Sequence, residues 1–520
     1  MRGKAALVFL ILVVASLRPI RSYDSFWHLA TGRWIVEHRA LPLTDPLAVA
    51  TDPTPWINGE WLFEVLLHAI WSLGGTTAIA LARAVLVGAI FALGFGWATR
   101  KADPINTLLL AILCWLGAAP LLGERPSAVA ALLVLIAVGI LLERPSRRSI
   151  ILYAIVSIAW INLHPSALLA PLLAGAVLLG ELAARDRTLR ELVRRAIMIA
   201  SSLAGLLVNP YGIAAITAPI ALVATIGKQE FVNVEWSVSL PMQFPLLYVS
   251  TAIAIVAFIL VRRRELFPRL LVFLFLAVLA FRQVREQPLL YAAYPLLIAP
   301  LLPPARSIVI RRVALLALVA ALLVRIAGEP PAAGIDSRFF PLRAVAALER
   351  SGLGGNIFNA DQFGGYLIWT FYPERRVLHD GRNELYSTYL GEYEIARQDG
   401  RAWEALLRKY RVALAVEEYR PDRIEVIDAV TRERTYLPAS LVYFPRSAWA
   451  LVAFDDLAMV FARRSEHDPQ LLREIEYRHL VPDAPNPSFR DPAAAREELQ
   501  RAERELGRGR VLERMWGGGR

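Results

Sequence analysis

At about 150 residues per soluble domain, a chain of 520 residues would make three or four domains. Composition excludes that: 56% of residues are hydrophobic and 20% charged, and the mean hydropathy is +0.44, more apolar side chain than a soluble protein can shield from water. The net charge of +11 fits basic cytoplasmic membrane loops, and the single cysteine, Cys114, inside an apolar run, excludes disulfide frameworks and Cys-based metal sites.

Apolar runs able to cross a hydrocarbon core of about 30 Å recur at 5–20, 76–98, 105–122, 126–142, 149–163, 165–182, 196–208, 244–261, 267–281, 287–302 and 307–325. The expected fold class is therefore mainly α, a polytopic membrane protein of about eleven spans, with a C-terminal α/β extracytoplasmic domain. The first run is short and basic-flanked, so a cleaved signal peptide is the alternative to a first span; the next loop lies outside either way. The run 196–226 is broken by Asn209-Pro210-Tyr211-Gly212 and reads as one span followed by an interfacial helix. With the N-terminus in the cytoplasm, Lys and Arg on inner segments outnumber those on outer segments more than twofold, Arg306 counting inside and Lys228 outside.

The expected organisation is a transmembrane domain over 1–326 with a long first outer loop at 21–75. A periplasmic α/β domain follows over 327–465, then a linker and charged helical tail over 466–520. Strands are expected at Ile357-Phe358-Asn359, Arg376-Val377-Leu378, Val412 to Val416 and Trp449 to Phe454, with a helix from Trp403 to Tyr410. Pro482 to Pro492 reads as a linker, and Ala493 to Leu506 as an amphipathic helix that is solvated or binds a partner.

All seven histidines fall on the outer side in this topology. Trp27, Trp34, Trp56 and Trp61 of the first outer loop fit helices lying in the headgroup layer. An interfacial belt alone does not account for Asp24 directly after a span, or for Glu60 and Glu64 one turn apart, because carboxylates at a dry interface are costly unless paired or functional. Arg83, inside a span, calls for a carboxylate partner such as Glu60 or Glu64.

A membrane helix followed by a long outer loop that opens on an acidic residue resembles the GT-C superfamily of membrane glycosyltransferases. Asp24-x-x-Trp27-His28-Leu29-Ala30-Thr31-Gly32, Pro42-x-Thr44-Asp45-Pro46 and Asn58-Gly59-Glu60-Trp61 are similar to strings in a group of little-characterised bacterial multi-pass proteins. That group also shows Gly364-Gly365-Tyr366-Leu367-x-Trp369 and Asp380-Gly381-Arg382. The resemblance implies transfer of a hexose or pentose, with inversion, from a polyprenyl-phosphate carrier to a glycan, lipid or protein acceptor outside the bacterial inner membrane. It gives no role to nucleic acid.

On that reading Asp24 is the base or metal ligand, assisted by Glu60, and a divalent cation, where one is used, falls to Asp24 and Asp45. Arg125, Arg285 and Arg33 suit the donor phosphate, since guanidinium forks match phosphate oxygens; a helix-end arginine snorkelling to headgroups is the plain alternative. His164 binds phosphate, relays a proton, or caps a turn. Asp361, Tyr366, Asp380, Arg382 and Glu235 are the acceptor-binding candidates, Asp361 through a distant similarity to the acceptor segment of oligosaccharyltransferases. A lipid-carrier or glycan transporter and a non-catalytic scaffold of the same fold are the rival readings.

Overall fold

The computed structural model describes residues 2–53, 55–226, 234–304, 307–427, 431–485 and 489–517. Lys228 and Arg306, counted above among the loop charges, lie outside the described residues. The chain forms two compact units, one of Met1–Ser22, Ile35–Leu41 and Ile57–Gly334, the other of Tyr23–Trp34, Pro42–Trp56 and Ile335–Arg520.

The first unit is helical, and each of the eleven apolar runs coincides with a helix. Among the described residues two helices, Trp61–Ala98 and Pro165–Ala184, are long and apolar enough to cross a membrane, while others, such as Pro104–Ala118 and Pro245–Val261, are shorter. Local chemistry sets the ends. Asp103 accepts from the backbone N–H groups of Ile105 and Asn106 ahead of Pro104, and Ser146 and Thr188 open their helices with capping boxes. Gln287–Ile298 is buried at every residue and packs against Pro104–Ala118, Pro126–Leu141 and Phe267–Arg282, as a helix apolar all round should. Exposed apolar residues, among them Ile151, Ile155, Leu179, Val256 and Leu260, cover outward faces of the unit.

Two expectations change here. The loop expected to run to residue 75 is helical from Trp61, and the helix breaks at Gly74-Gly75, where Gly75 takes a left-handed φ of +60°. Arg83 pairs not with Glu60 or Glu64 but with Glu124, 3.3 Å away, and also donates to the carbonyls of Ser16, Ala119 and Leu122. The reason is distance along the helix. Nineteen residues separate Arg83 from Glu64, roughly 28 Å at 1.5 Å per residue, and Glu64 instead accepts from Asn58 at 2.6 Å.

The second unit is built on a four-stranded sheet of order β1-β2-β6-β5: β1 Asn356–Asn359, β2 Val412–Glu418, β5 Trp449–Phe454 and β6 Ala458–Arg463. β1 and β2 are parallel and the other pairs antiparallel. Val377 bridges in parallel to Ile357 on one side and Ala48 on the other, so part of the first outer loop joins this sheet. β3 Arg423–Ile427 and β4 Arg434–Pro438 form a separate hairpin. β2, β5 and β6 are nearly continuous apolar runs, as strands covered on both faces should be.

Helix Leu342–Arg350 packs on β5 and β6, and helix Pro492–Leu506 packs on that helix. The latter buries Ala495, Leu499, Ala502 and Leu506 in the core, so the segment read as a solvated or partner-binding tail is a layer of this unit. Of the stretch read as a linker, residues 486–488 lie outside the described residues, and Asp483 is anchored by Ser440.

Candidate functional site

In the sheet unit, Asp24 stands one residue before helix Ser25–His38, and its Oδ1 accepts from Trp27 Nε1 at 3.2 Å. Asp361 opens the turn that leads into helix Gly364–Phe371. The paired glycines of that helix make close approach possible: a Cβ on Gly364 would lie 2.3 Å from the His379 carbonyl, and one on Gly365 2.8 Å from the Tyr23 carbonyl. Segments around Asp24, Asp361 and Asp380 therefore converge without intervening side chains. Asp361 shows the consequence: lost hydration, then repulsion from Asp380 and Asp24, pushes its carboxyl up to about 6.

Asp380 belongs to a closed buried network. Arg382 donates to both its oxygens, at 2.8 and 2.5 Å, to Asp45 at 3.1 Å and to Tyr386 at 3.0 Å. Burial raises the Asp380 carboxyl, but the Arg382 charge and hydrogen bonds outweigh it and hold the group below its ordinary range. The guanidinium lies over both Trp27, 5.1 Å away, and Trp56, 4.8 Å away. Trp27 and Trp56 are thus buried core residues that stack on a cation, not headgroup anchors as expected.

Asp45 spends its oxygens on Arg382, Tyr386, Thr51 and the N–H groups of Leu47 and Ala48. Both Asp45 oxygens are thereby engaged, and among the described residues no three His, Cys, Asp or Glu groups are placed to hold a metal. Arg33, expected at phosphate, stacks on Trp369 and donates to the Tyr372 carbonyl. Tyr366 packs edge-on against Phe26 at 5.1 Å and lies 5.5 Å from Phe340.

The helical unit gathers a second set. Glu60 is the N-cap residue of Trp61–Ala98, and its Oε1 lies 3.8 Å from His164 Nε2. His164 Nδ1 accepts the Ser166 N–H, so the ring is the neutral Nε2–H tautomer with its proton toward Glu60. Burial, then the charges of Arg285 and Arg125, pushes the imidazole down to about 3. Asn162, two residues earlier, accepts from Trp61 Nε1 at 3.1 Å.

Arg125 and Glu235, assigned above to donor and acceptor respectively, form a two-pronged ion pair at 2.9 and 2.5 Å. For Glu235, burial is outweighed by Arg125 and Arg285, which hold the carboxyl low. Arg285 lies over the Trp236 ring at 4.3 Å, with Glu286 3.8 Å away, and keeps part of its side chain exposed. Glu60, His164, Arg125, Glu235 and Arg285 thus come together from widely separated segments. His379, beside the Asp380-Gly381-Arg382 motif, Tyr386 and Tyr389 had no assigned role in the sequence; the motif's neighbourhood was the available signal for the first.

No protein-family sequence model matches the chain, and no curated protein matches it. Solved structures do. The archaeal oligosaccharyltransferase AglB from Archaeoglobus fulgidus, in complex with an inhibitory peptide and a dolichol-phosphate, aligns with a TM-score of 0.56 at 10% identity, over 84% of this chain and 74% of that one. The Archaeoglobus fulgidus oligosaccharyltransferase in complex with Zn and sulfate aligns with a TM-score of 0.53 at 12% identity, over 83% and 72%. The same enzyme tethered to an acceptor peptide containing the NVT sequon gives 0.54 at 10%, over 83% and 74%. At such identities the likeness establishes a shared fold.

Proposed function

We propose that the chain is an integral membrane glycosyltransferase that moves a hexose or pentose, with inversion, from a polyprenyl-phosphate carrier to an acceptor outside the bacterial inner membrane. The observation that carries this reading is the meeting of Asp24, Asp361 and Asp380 through side-chain-free glycine contacts, in a chain with the fold of an enzyme solved with dolichol-phosphate. Eleven crossings, a cytoplasmic N-terminus and an extracytoplasmic sheet unit belong to the proposal and rest on the apolar runs and loop charge.

In this reaction Asp24 acts as base or holds a divalent cation, and Asp361 meets the acceptor. Asp380, Arg382 and Asp45 hold the scaffold around them. In the helical unit, Arg285 is the first phosphate ligand, because its guanidinium stacks on Trp236 with part of the side chain exposed. Arg125 joins by exchanging Glu235 for phosphate, and neutral His164 donates a hydrogen bond rather than a charge.

Arg285→Gln is expected to weaken binding of a polyprenyl-phosphate sugar to the purified protein in lipid vesicles. A hydrogen bond to a charged group contributes about 1.5–3 kcal/mol, so the loss is roughly 10- to 100-fold in Kd. Equal donor affinity in wild type, Arg285→Gln and the double variant with Arg125→Gln would remove the phosphate site from this unit.

A further inference from the structure

The sheet unit holds a polar chain that the assignments above leave unused. His379 is 5% exposed, and its Nε2 lies 3.6 Å from Asp361 Oδ1. Its Nδ1 has no hydrogen-bond partner among the described residues, and neither does the hydroxyl of Tyr389, which is 0% exposed. The two rings lie 5.0 Å apart. Buried polar groups are nearly always satisfied, so two unsatisfied neighbours need a reason.

Their chemistry orders them. A tyrosine hydroxyl donates, a neutral imidazole accepts at one nitrogen and donates at the other, and a carboxylate accepts. Burial pushes the His379 imidazole down to about 4, so it stays neutral. A neutral ring with its proton on Nε2 sets that N–H against Asp361 Oδ1, 3.6 Å away, and leaves Nδ1 as an acceptor. Hydrogen bonds of this kind are commonly long before substrate binds and shorten in the reacting complex.

We propose that His379 is a positioning residue for Asp361, and that Asp361 takes the proton of the acceptor in the transfer reaction. The proposal rests on the glycosyltransferase reading. As the acceptor heteroatom bonds to the sugar C1, its proton passes to the Asp361 carboxylate. The bond from C1 to the carrier phosphate oxygen breaks, and its electron pair leaves on that oxygen. Asp361, with 53% of its side-chain surface exposed, returns the proton to solvent. The charged or titratable groups around Asp361 are His379, Asp380, Asp24 and Tyr389. A neutral N–H on the carboxylate favours its ionised form, so its removal moves the acid limb of the kcat profile to higher pH.

The test compares wild type, His379→Gln, His379→Asn and His379→Leu in vesicles with a polyprenyl-phosphate sugar and acceptor. The glutamine amide falls near the Nε2 position and faces Asp361; the asparagine amide falls near Nδ1 and does not reach it. His379→Asn is expected to lower kcat about 100-fold, with donor KM within about threefold and the acid limb raised. His379→Gln is expected to restore at least about a tenth of the wild-type kcat. Should His379→Asn not fold, His379→Gln with an unmoved acid limb supports the role, and a limb moved as far as that of His379→Leu overturns it. With wild type active, an asparagine variant as fast as the glutamine variant overturns the role of His379 alone. Wild type that is folded but consumes no donor overturns the underlying reading instead.

Discussion

Asp24→Asn is expected to slow sugar transfer about 1000-fold while leaving the protein folded. With the acceptor proton going to Asp361, Asp24 is left to hold a cation, whose charge stabilisation of several kcal/mol corresponds to about 10²–10⁴ in rate, and asparagine keeps an oxygen to accept from Trp27 Nε1. Stability should rise slightly at neutral pH. Part of the upward push on Asp361 comes from Asp24, and a carboxyl whose folded pKa is raised opposes folding above that pKa. Removing the Asp24 charge relieves this. Initial rates at saturating donor, with melting curves from pH 5 to 8, check both parts. A variant within tenfold of the wild-type rate would strip Asp24 of its assigned role.

Arg382→Leu should be the most damaging single change to the sheet unit. It leaves Asp380 and Asp45 buried without their shared cation, and breaking a buried ion pair costs about 3–5 kcal/mol. Arg382→Lys keeps the charge but loses the fork to Asp380 and the stacking on Trp27 and Trp56, with an expected cost of about 2 kcal/mol. The two tryptophans make fluorescence during urea unfolding a direct reporter.

The pH dependence separates the states. In wild type the Asp380 carboxyl is held below its ordinary value. Its contribution is therefore fully present above about pH 4 and is lost as pH falls through the folded pKa. In Arg382→Leu the carboxyl loses that partner, its pKa rises, and the variant should gain stability as pH falls toward the raised value. Parallel stability profiles for the two proteins would contradict the network.

Much of the helical unit was readable from the chain because a long apolar run is a local signal. β1, β2, β5 and helix Gly400–Lys409 were similarly visible from short apolar runs and from Trp403, Leu406 and Leu407 at helical spacing. Gly364 and Gly365 come close to the His379 and Tyr23 carbonyls, and nothing local to the glycines names either backbone. What escaped was pairing across distance. Asp45 and Arg382 are 337 residues apart in the chain, and nothing local to either names the other. Tryptophans beside a span look like headgroup anchors whether they face lipid or stack on a buried guanidinium, as Trp27 and Trp56 do. Arg125 and Glu235 were each read as ligand contacts, because an outer-loop charge shows its sign in sequence but not its partner. β6 and the β3–β4 hairpin were missed: Ala458–Arg463 is short and directly follows another strand across a tight turn.

Sugar transfer as proposed breaks the bond between a sugar and a polyprenyl phosphate. The most direct test follows one labelled donor in vesicles containing the purified protein. The account predicts loss of the lipid-linked sugar with stoichiometric appearance of the free polyprenyl phosphate, dependent on acceptor and absent in Asp24→Asn. Folded wild-type protein that binds the donor and leaves it intact with every acceptor class, glycan, lipid and peptide, would contradict it.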